Sequence, residues 1–129
     1  PICGREMQNM TVGIIGTGRI GKAVIKNLSG FGCKIIAYDP YPAKDLENVE
    51  YVTLDELYAR ADIISLHTFL SDETYHMINK DSIAKMKDGV ILINAARGAL
   101  VDTKDLIEAV ESGKVKKYVT DFANWFSWN

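Results

Sequence analysis

The sequence has no apolar run approaching the ~18 residues needed to cross a bilayer, and it does not open with the pattern of a secretory leader. A membrane span and export are therefore not expected. Cysteine is scarce: Cys3 and Cys33 lie far apart and form no metal-ligand spacing. No metal is expected, and a reduced, cytoplasmic pair is favoured over a disulfide. Charge of one sign is also lacking, with 15 Lys and Arg against 17 Asp and Glu for a net charge of -2. That balance gives no strongly basic field, so a nucleic-acid partner is not expected. No internal repeat, low-complexity tract or linker divides the chain. What remains is 129 residues that are 47% hydrophobic and 25% charged. This is the make-up of one soluble globular domain, able to bury roughly two-thirds of its unfolded surface.

Short β-rich runs alternate with helical stretches. Residues 11–15 (TVGII) form an expected strand, and 19–29 an expected helix with Ile20, Val24 and Leu28 on one side. A second strand, 34–38, stops at Asp39-Pro40, because proline cannot continue the ladder. After a loop over 40–48, a short strand is expected at 49–52. Thr53 and Glu56 have the spacing of a capping box that opens a helix to about Arg60. Residues 63–66 and 90–93 are apolar runs of strand length. Asn79 suits the cap of a helix reaching Met86, Asp102 or Thr103 the start of one that Gly113 closes, and 115–120 a last strand. Strands alternating with helices imply β-α-β units and a mainly parallel sheet. The runs IIAY, DIISL and GVILIN lack clean polar alternation, as expected when helices cover both faces.

The stretch VGIIGTGRIG holds the chemistry. A lone G-x-G-x-x-G is weak, but here Gly16 directly follows a strand and a helix begins just after Gly18. In that setting Gly16 makes the tight turn, Gly18 admits a pyrophosphate to the backbone, and Gly21 lets helix and strand pack closely. The pyrophosphate would rest on the helix N-terminus, with Arg19 and Ile20 supplying contacts from the first turn. Asp39 ends the second strand 18 residues beyond Gly21, where a carboxylate accepts hydrogen bonds from an adenosine ribose. It would repel a 2′-phosphate by about 4 kcal/mol per unit charge at ~4 Å and an effective dielectric near 20. NAD is thus expected over NADP. The bland alternative is a tight turn beside a solvated aspartate. Arg97 follows an apolar strand at the edge where open α/β sheets bind ligands, and a guanidinium there suits a carboxylate. It reads equally as a surface arginine capping strand-end carbonyls.

With LHTFLSDETYHMIN and VILINAARGALVDTKDLIEAVESGKV, the glycine motif resembles the D-isomer-specific 2-hydroxyacid dehydrogenases. Within that family, GREMQNMTVGIIGTGRIGKAV is most similar to the D-lactate dehydrogenase branch, including the vancomycin-resistance type. The likeness runs from about Gly4 to Asp121. It implies a Rossmann fold, a doubly wound, mainly parallel α/β sheet, as a single dinucleotide-binding domain over 1–129, with the family's substrate domain absent. By resemblance Arg97 is catalytic, binding the substrate carboxylate and polarising its carbonyl. Ala95 and Ala96 match the lining of the nicotinamide site, and Asp121 the aspartate that holds the carboxamide. Thr68 and Phe69 stand where the family usually has Val-Pro, flanking adenine and ribose, so Phe69 departs from the pattern. The family's dimer usually involves this domain, which implies a homodimer partner.

The ending departs further. Five residues beyond Asp121, where the family has the glutamate that orients a catalytic histidine, stands Phe126, and no matching histidine follows. His67 and His76 do not match it and read as structural. The tail FANWFSWN (122–129) is atypical. It would cover apolar surface, mediate an oligomer contact, or have no role, and a packing role is preferred. The expected function is the cofactor domain of an NAD-dependent dehydrogenase that reduces pyruvate or another 2-keto acid. On that reading the chain alone binds NAD(H) but lacks the acid-base pair. A non-enzymatic NAD-binding or sensing module stands beside it, and an S-adenosylmethionine-binding Rossmann domain is disfavoured by the full signature.

Overall fold

The computed structural model describes residues 9–120. Asp121, the aromatic tail and Cys3 lie outside them. Six strands form one parallel sheet: β1 (Thr11–Ile15), β2 (Lys34–Tyr38), β3 (Val49–Tyr51), β4 (Ile63–Leu66), β5 (Val90–Asn94) and β6 (Val115–Val119). Their order is β3-β2-β1-β4-β5-β6. The order reverses between β1 and β4, the switch point at which doubly wound sheets open a crevice beyond the strand carboxyl ends. Register aligns those ends: Ile15 pairs with Tyr38 on one side and Leu66 on the other, and Leu66 pairs with Asn94. Gly16, Asp39, His67 and Ala95 therefore leave the sheet along one edge.

Four helices connect the strands: α1 (Arg19–Leu28), α2 (Leu54–Arg60), α3 (Lys80–Ala84) and α4 (Thr103–Ser112). They cover both faces of the sheet. Val24, Ile25 and Leu28 of α1 pack with Val12, Ile14, Ile35 and Ile63 on one face. Leu57 of α2, Ile83 of α3 and Leu106 of α4 pack with Ile15, Ile36, Ile64 and Leu92 on the other. Alternation along β1 produces this division, because successive side chains leave a strand on opposite sides.

The helix ends follow their local chemistry. Thr53 Oγ1 accepts the Glu56 backbone N–H (3.2 Å), and its hydroxyl donates to the Glu56 carboxylate (3.3 Å). The reciprocal arm of the expected capping box thus ends on the Thr53 hydroxyl. Asn79 caps α3 by accepting from Asp81 and Ser82 amides. That helix stops at Ala84, short of Met86, because Lys85 and Met86 donate to Ser82 and Ile83 and tighten the last turn. Asp102 caps α4 at its start, and Gly113 closes it at φ 84°. The sequence expectation fails at Ile20, which shares the spacing of Val24 and Leu28 yet is 60% exposed. It sits in the first turn, beyond the reach of the sheet.

Gly13, within β1, has a role that the glycine motif does not signal. A Cβ there would lie 2.7 Å from Leu57 Cδ2 and 3.0 Å from Ala61 Cβ. The missing side chain lets α2 settle directly on the central strand. Gly13→Val should therefore destabilise the chain by about 1 to 3 kcal/mol through overpacking. Thermal melts followed by circular dichroism should show a lower Tm, partly restored by adding Leu57→Ala. An unchanged Tm would mean that α2 does not rest on Gly13.

Candidate functional site

The site begins at the turn after β1. Gly16 has φ 96°, donates its N–H to Tyr38 O (2.9 Å), and passes so close to β4 that a Cβ would lie 2.7 Å from the His67 carbonyl carbon. Only a glycine meets both conditions without strain. A Cβ on Gly21 would collide with the Gly16 carbonyl oxygen, so the start of α1 can seat on the turn only while that position is bare. Around Gly18, by contrast, a Cβ would meet no atom of the described residues within 4 Å beyond its chain neighbours. The space in front of it is open.

The N-terminus of α1 faces that space. The first helical bond runs from Lys22 N–H to Gly18 O (2.9 Å), so the amides of Arg19, Ile20 and Gly21 precede the ladder. No side chain caps this end and no acidic residue stands in its first turn, which instead contains Arg19. A cation at the positive end of a helix dipole is unfavourable by itself. Uncapped amides, a bare glycine and an arginine together suit an anion.

Asp39 closes one end of the crevice. Its Oδ2 accepts from the Thr17 N–H (2.7 Å) and the Thr17 hydroxyl (3.2 Å), and its Oδ1 from the Tyr41 N–H (2.8 Å). Thr17 is 3% exposed, and its hydroxyl accepts from the Tyr51 hydroxyl (2.9 Å), which accepts from the Ala43 N–H (3.0 Å). Thr17 and Tyr51 were not marked by sequence reasoning. Threonine is interchangeable with other residues in the glycine pattern, and Tyr51 lies in a three-residue strand whose register the sequence does not display.

The opposite wall comes from the ends of β4 and β5. One hollow of about 400 Å³ is lined by Gly16, Gly18, Arg19, Ile20, Asp39, Thr68 and Phe69, among others. A second, of about 410 Å³, is lined by Ile20, Thr68, Phe69, Ala95, Ala96 and Arg97, with His67 and Leu70. They share Ile20, His67, Thr68 and Phe69, and so form one trough across the switch point. Apart from Gly21, which is buried behind the turn, and Asp121, outside the described residues, every site residue expected from the sequence lines it.

Arg97 stands at the far end, exposed, and its guanidinium makes no hydrogen bond or ion pair among the described residues. No strand-end carbonyl among the described residues receives a hydrogen bond from it. Its backbone is held instead by Asn94, 4% exposed, whose amide nitrogen donates to Arg97 O (3.0 Å) and Tyr118 Oη (3.2 Å) while its Oδ1 accepts the Ala96 N–H (3.0 Å). Asn94 is a further residue missed in the sequence. Its signal was a polar residue closing the apolar run VILI.

His67 lies in the trough floor with Nε2 against the Ser65 hydroxyl (2.7 Å). Burial drives its pKa down to about 4, so the ring is neutral at pH 7. His76 is elsewhere, stacked on Tyr75 with Nδ1 3.5 Å from Asp102 Oδ2. The described residues contain no cluster able to hold a metal ion and no helix long and apolar enough to cross a membrane.

Residues 1–124 match the family described as D-isomer specific 2-hydroxyacid dehydrogenase, NAD binding domain. The chain belongs to that family. An aromatic 2-oxoacid reductase of Clostridium sporogenes is 58% identical over 116 residues, covering 88% of this chain and 35% of the relative. A D-lactate dehydrogenase of Leuconostoc mesenteroides subsp. cremoris is 53% identical over 123 residues, covering 94% and 37%. The solved D-lactate dehydrogenase from Aquifex aeolicus, complexed with NAD and lactic acid, superposes with a TM-score of 0.83 at 44% identity, covering 89% of this chain and 36% of that one. This dehydrogenase-family domain thus spans about a third of the length of the relatives it matches. Its fold is that of their cofactor domain, and its cofactor class is NAD.

The buried histidine gives the domain a pH dependence. The unfolded His67 takes up a proton as pH falls below its ordinary value of 6.5, whereas the folded ring resists until about 4. Its contribution to stability is complete above pH 6.5 and is lost as pH falls across that window, by up to about 3 kcal/mol. Urea unfolding between pH 7.5 and 4 should show a steeper loss for the native chain than for His67→Gln. Parallel curves would mean that the imidazole charges freely in the fold.

Proposed function

We propose that this chain is the cofactor-binding part of an NAD-dependent D-2-hydroxyacid dehydrogenase, acting on pyruvate or another 2-keto acid. The observation that carries this reading is the trough, which has an anion seat at the α1 N-terminus, a carboxylate at one end and an uncommitted arginine at the other. The residues fit NAD. Gly18 leaves room at the uncapped helix for a pyrophosphate, and Asp39 would accept from a ribose hydroxyl. Thr68 and Phe69 would flank the adenosine, and Ala95 and Ala96 the nicotinamide. Asp121 is proposed, from the family pattern alone, to hold the carboxamide.

When bound, the nicotinamide would supply the hydride that reduces the carbonyl carbon of the keto acid. The part of Arg97 is to pair with the substrate carboxylate and draw electron density from the adjacent carbonyl, making that carbon more electrophilic. Asn94 keeps the Arg97 backbone in place at the strand end. The alkoxide needs a proton, and a neutral His67 of low pKa is a poor source at pH 7. His76 is engaged with Tyr75 and Asp102 and lines neither hollow. In this reading the acid is a histidine other than the two of this sequence, His67 and His76, supported by a glutamate whose expected position Phe126 holds here. Relatives named for aromatic 2-oxo acids and for lactate are both above 50% identical. The proposed substrate class is therefore 2-keto acids, with the side-chain preference set elsewhere. Cys33, free and with its thiol pKa raised by burial, suits the reduced, cytoplasmic setting proposed for the protein.

Fluorescence titration of the chain should show NADH binding that is tighter than NADPH binding, with little pyruvate reduction in the same sample. Asp39→Ala should weaken NADH by about 1.5 to 3 kcal/mol, the range for a charge-assisted hydrogen bond, and narrow the gap to NADPH. Equal losses for both cofactors would remove Asp39 from ribose recognition. Arg97→Ala should leave NADH affinity and Tm nearly unchanged. In a complete dehydrogenase carrying this domain, it should abolish oxamate binding to the NADH complex, because the anion would be left buried and unpaired. A lower Tm with oxamate binding spared would identify Arg97 as structural.

A further inference from the structure

The proton directions in the Thr17–Tyr51 network can be deduced by elimination. An ionised Asp39 only accepts, so the Thr17 hydroxyl must give it its single proton (3.2 Å). The contact between Thr17 and Tyr51 (2.9 Å) then needs the Tyr51 hydroxyl as donor. Tyr51, having spent its proton, can only accept from the Ala43 N–H (3.0 Å). The chain is directional: the Ala43 amide donates to Tyr51, Tyr51 to Thr17, and Thr17 to Asp39. Each bond polarises the next, and the run ends on a charge, where hydrogen bonds are strongest. Thr17 is 3% exposed, so water does not readily replace a lost partner.

Three protein donors on Asp39 leave the carboxylate roughly one of its four or so lone-pair sites, on Oδ1 beside the Tyr41 amide. The same relay fixes the loop after β2 at Ala43. We propose that Tyr51, acting through Thr17, is a positioning residue that locks the Asp39 carboxylate in the orientation that accepts a ribose 2′-hydroxyl and prevents it from turning aside for a 2′-phosphate. This rests on the reading of Asp39 as the ribose acceptor. A carboxylate held by the Thr17 and Tyr41 amides alone would still accept that hydroxyl, but would stand less firmly as a fixed negative charge against NADPH. The hydroxyl of Tyr51 therefore sets cofactor choice without touching the cofactor.

The test measures NADH and NADPH dissociation constants and Tm for the full chain and four variants. Tyr51→Phe and Thr17→Val each remove two hydrogen bonds of the relay and should weaken NADH about three- to tenfold, roughly the free energy of a single hydrogen bond. NADPH should be unchanged or tighter, so the preference for NADH shrinks. Thr17→Ser keeps the hydroxyl and should retain that preference. Because Thr17→Val alters a buried position and could fail to fold, Tyr51→Phe, which removes one oxygen from a partly buried side chain, keeps the test decisive. Asp39→Ala separates the two ideas. If it shrinks the preference while Tyr51→Phe does not, the carboxylate works without the relay and the proposal falls alone. If Asp39→Ala leaves the preference intact, the ribose reading fails and takes the relay with it. Equal weakening of both cofactors with a lowered Tm would make Tyr51 structural and overturn the proposal.

Discussion

The contact between the Gly16 carbonyl and the bare Cα of Gly21 is the constraint on which the rest of the site depends. It brings the first turn of α1 against the end of β1, aims the uncapped amides along the sheet edge, and leaves Gly18 facing open space. Gly16 in turn combines a left-handed bend with a close pass of the His67 backbone that leaves no room for a Cβ. The end of β4 and helix α1 therefore close on the Gly16 turn from two sides, the His67 backbone against Gly16 and the bare Gly21 against the Gly16 carbonyl. Any Cβ at Gly16 or Gly21 would push the two apart and open the trough at its floor.

Around that contact the fold accepts buried polar groups that a sheet interior normally excludes. Thr17 after β1, Ser65 in β4 and Asn94 at the end of β5 are all nearly inaccessible. Each has a partner: Asp39 and Tyr51 for Thr17, His67 for Ser65, and Arg97, Ala96 and Tyr118 for Asn94. A buried polar atom is tolerated when it is bonded, and a bonded one fixes its partner in a single geometry. Deeper in the sheet the buried side chains are those of Val, Ile, Leu and Ala. The polar ones gather at the carboxyl edge, where a ligand must find groups already oriented.

Charge is distributed with the same asymmetry. Of the three described arginines, Arg60 is paired with Glu50 at 3.0 Å on the edge strand. That pairing, with Lys34, holds the Glu50 carboxyl down at about 2. Arg19 and Arg97 line opposite ends of the trough without such partners among the described residues. An unpaired guanidinium retains its five donors for an incoming anion, and its planar fork matches carboxylate and phosphate geometry. On the proposed reading, the two arginines bracket the space for a pyrophosphate at one end and a substrate carboxylate at the other.

Much of this was legible from residue order. Short β-rich and apolar runs marked the six strands, Thr53, Asn79, Asp102 or Thr103 and Gly113 marked the helix ends, and the spacing of Gly16, Gly18, Gly21 and Asp39 marked a dinucleotide turn. These are local signals, because caps, turns and strand lengths depend on neighbours a few residues away. The sequence could not show that Ile20 leaves the core pattern of its own helix, since its exposure depends on where β1 ends beneath α1. Nor could it show that Gly13 is bare to receive Leu57, that Asn94 holds Arg97, or that Tyr51 reaches Thr17 across 34 positions. Those pairings arise only when parallel strands take one register, and that register is set by packing on both faces of the sheet. Residue order alone determined the elements and the kind of ligand. The tertiary structure decided which side chains hold Asp39 and Arg97 in place, because hydrogen bonds between distant residues exist only once the sheet has brought their strands together.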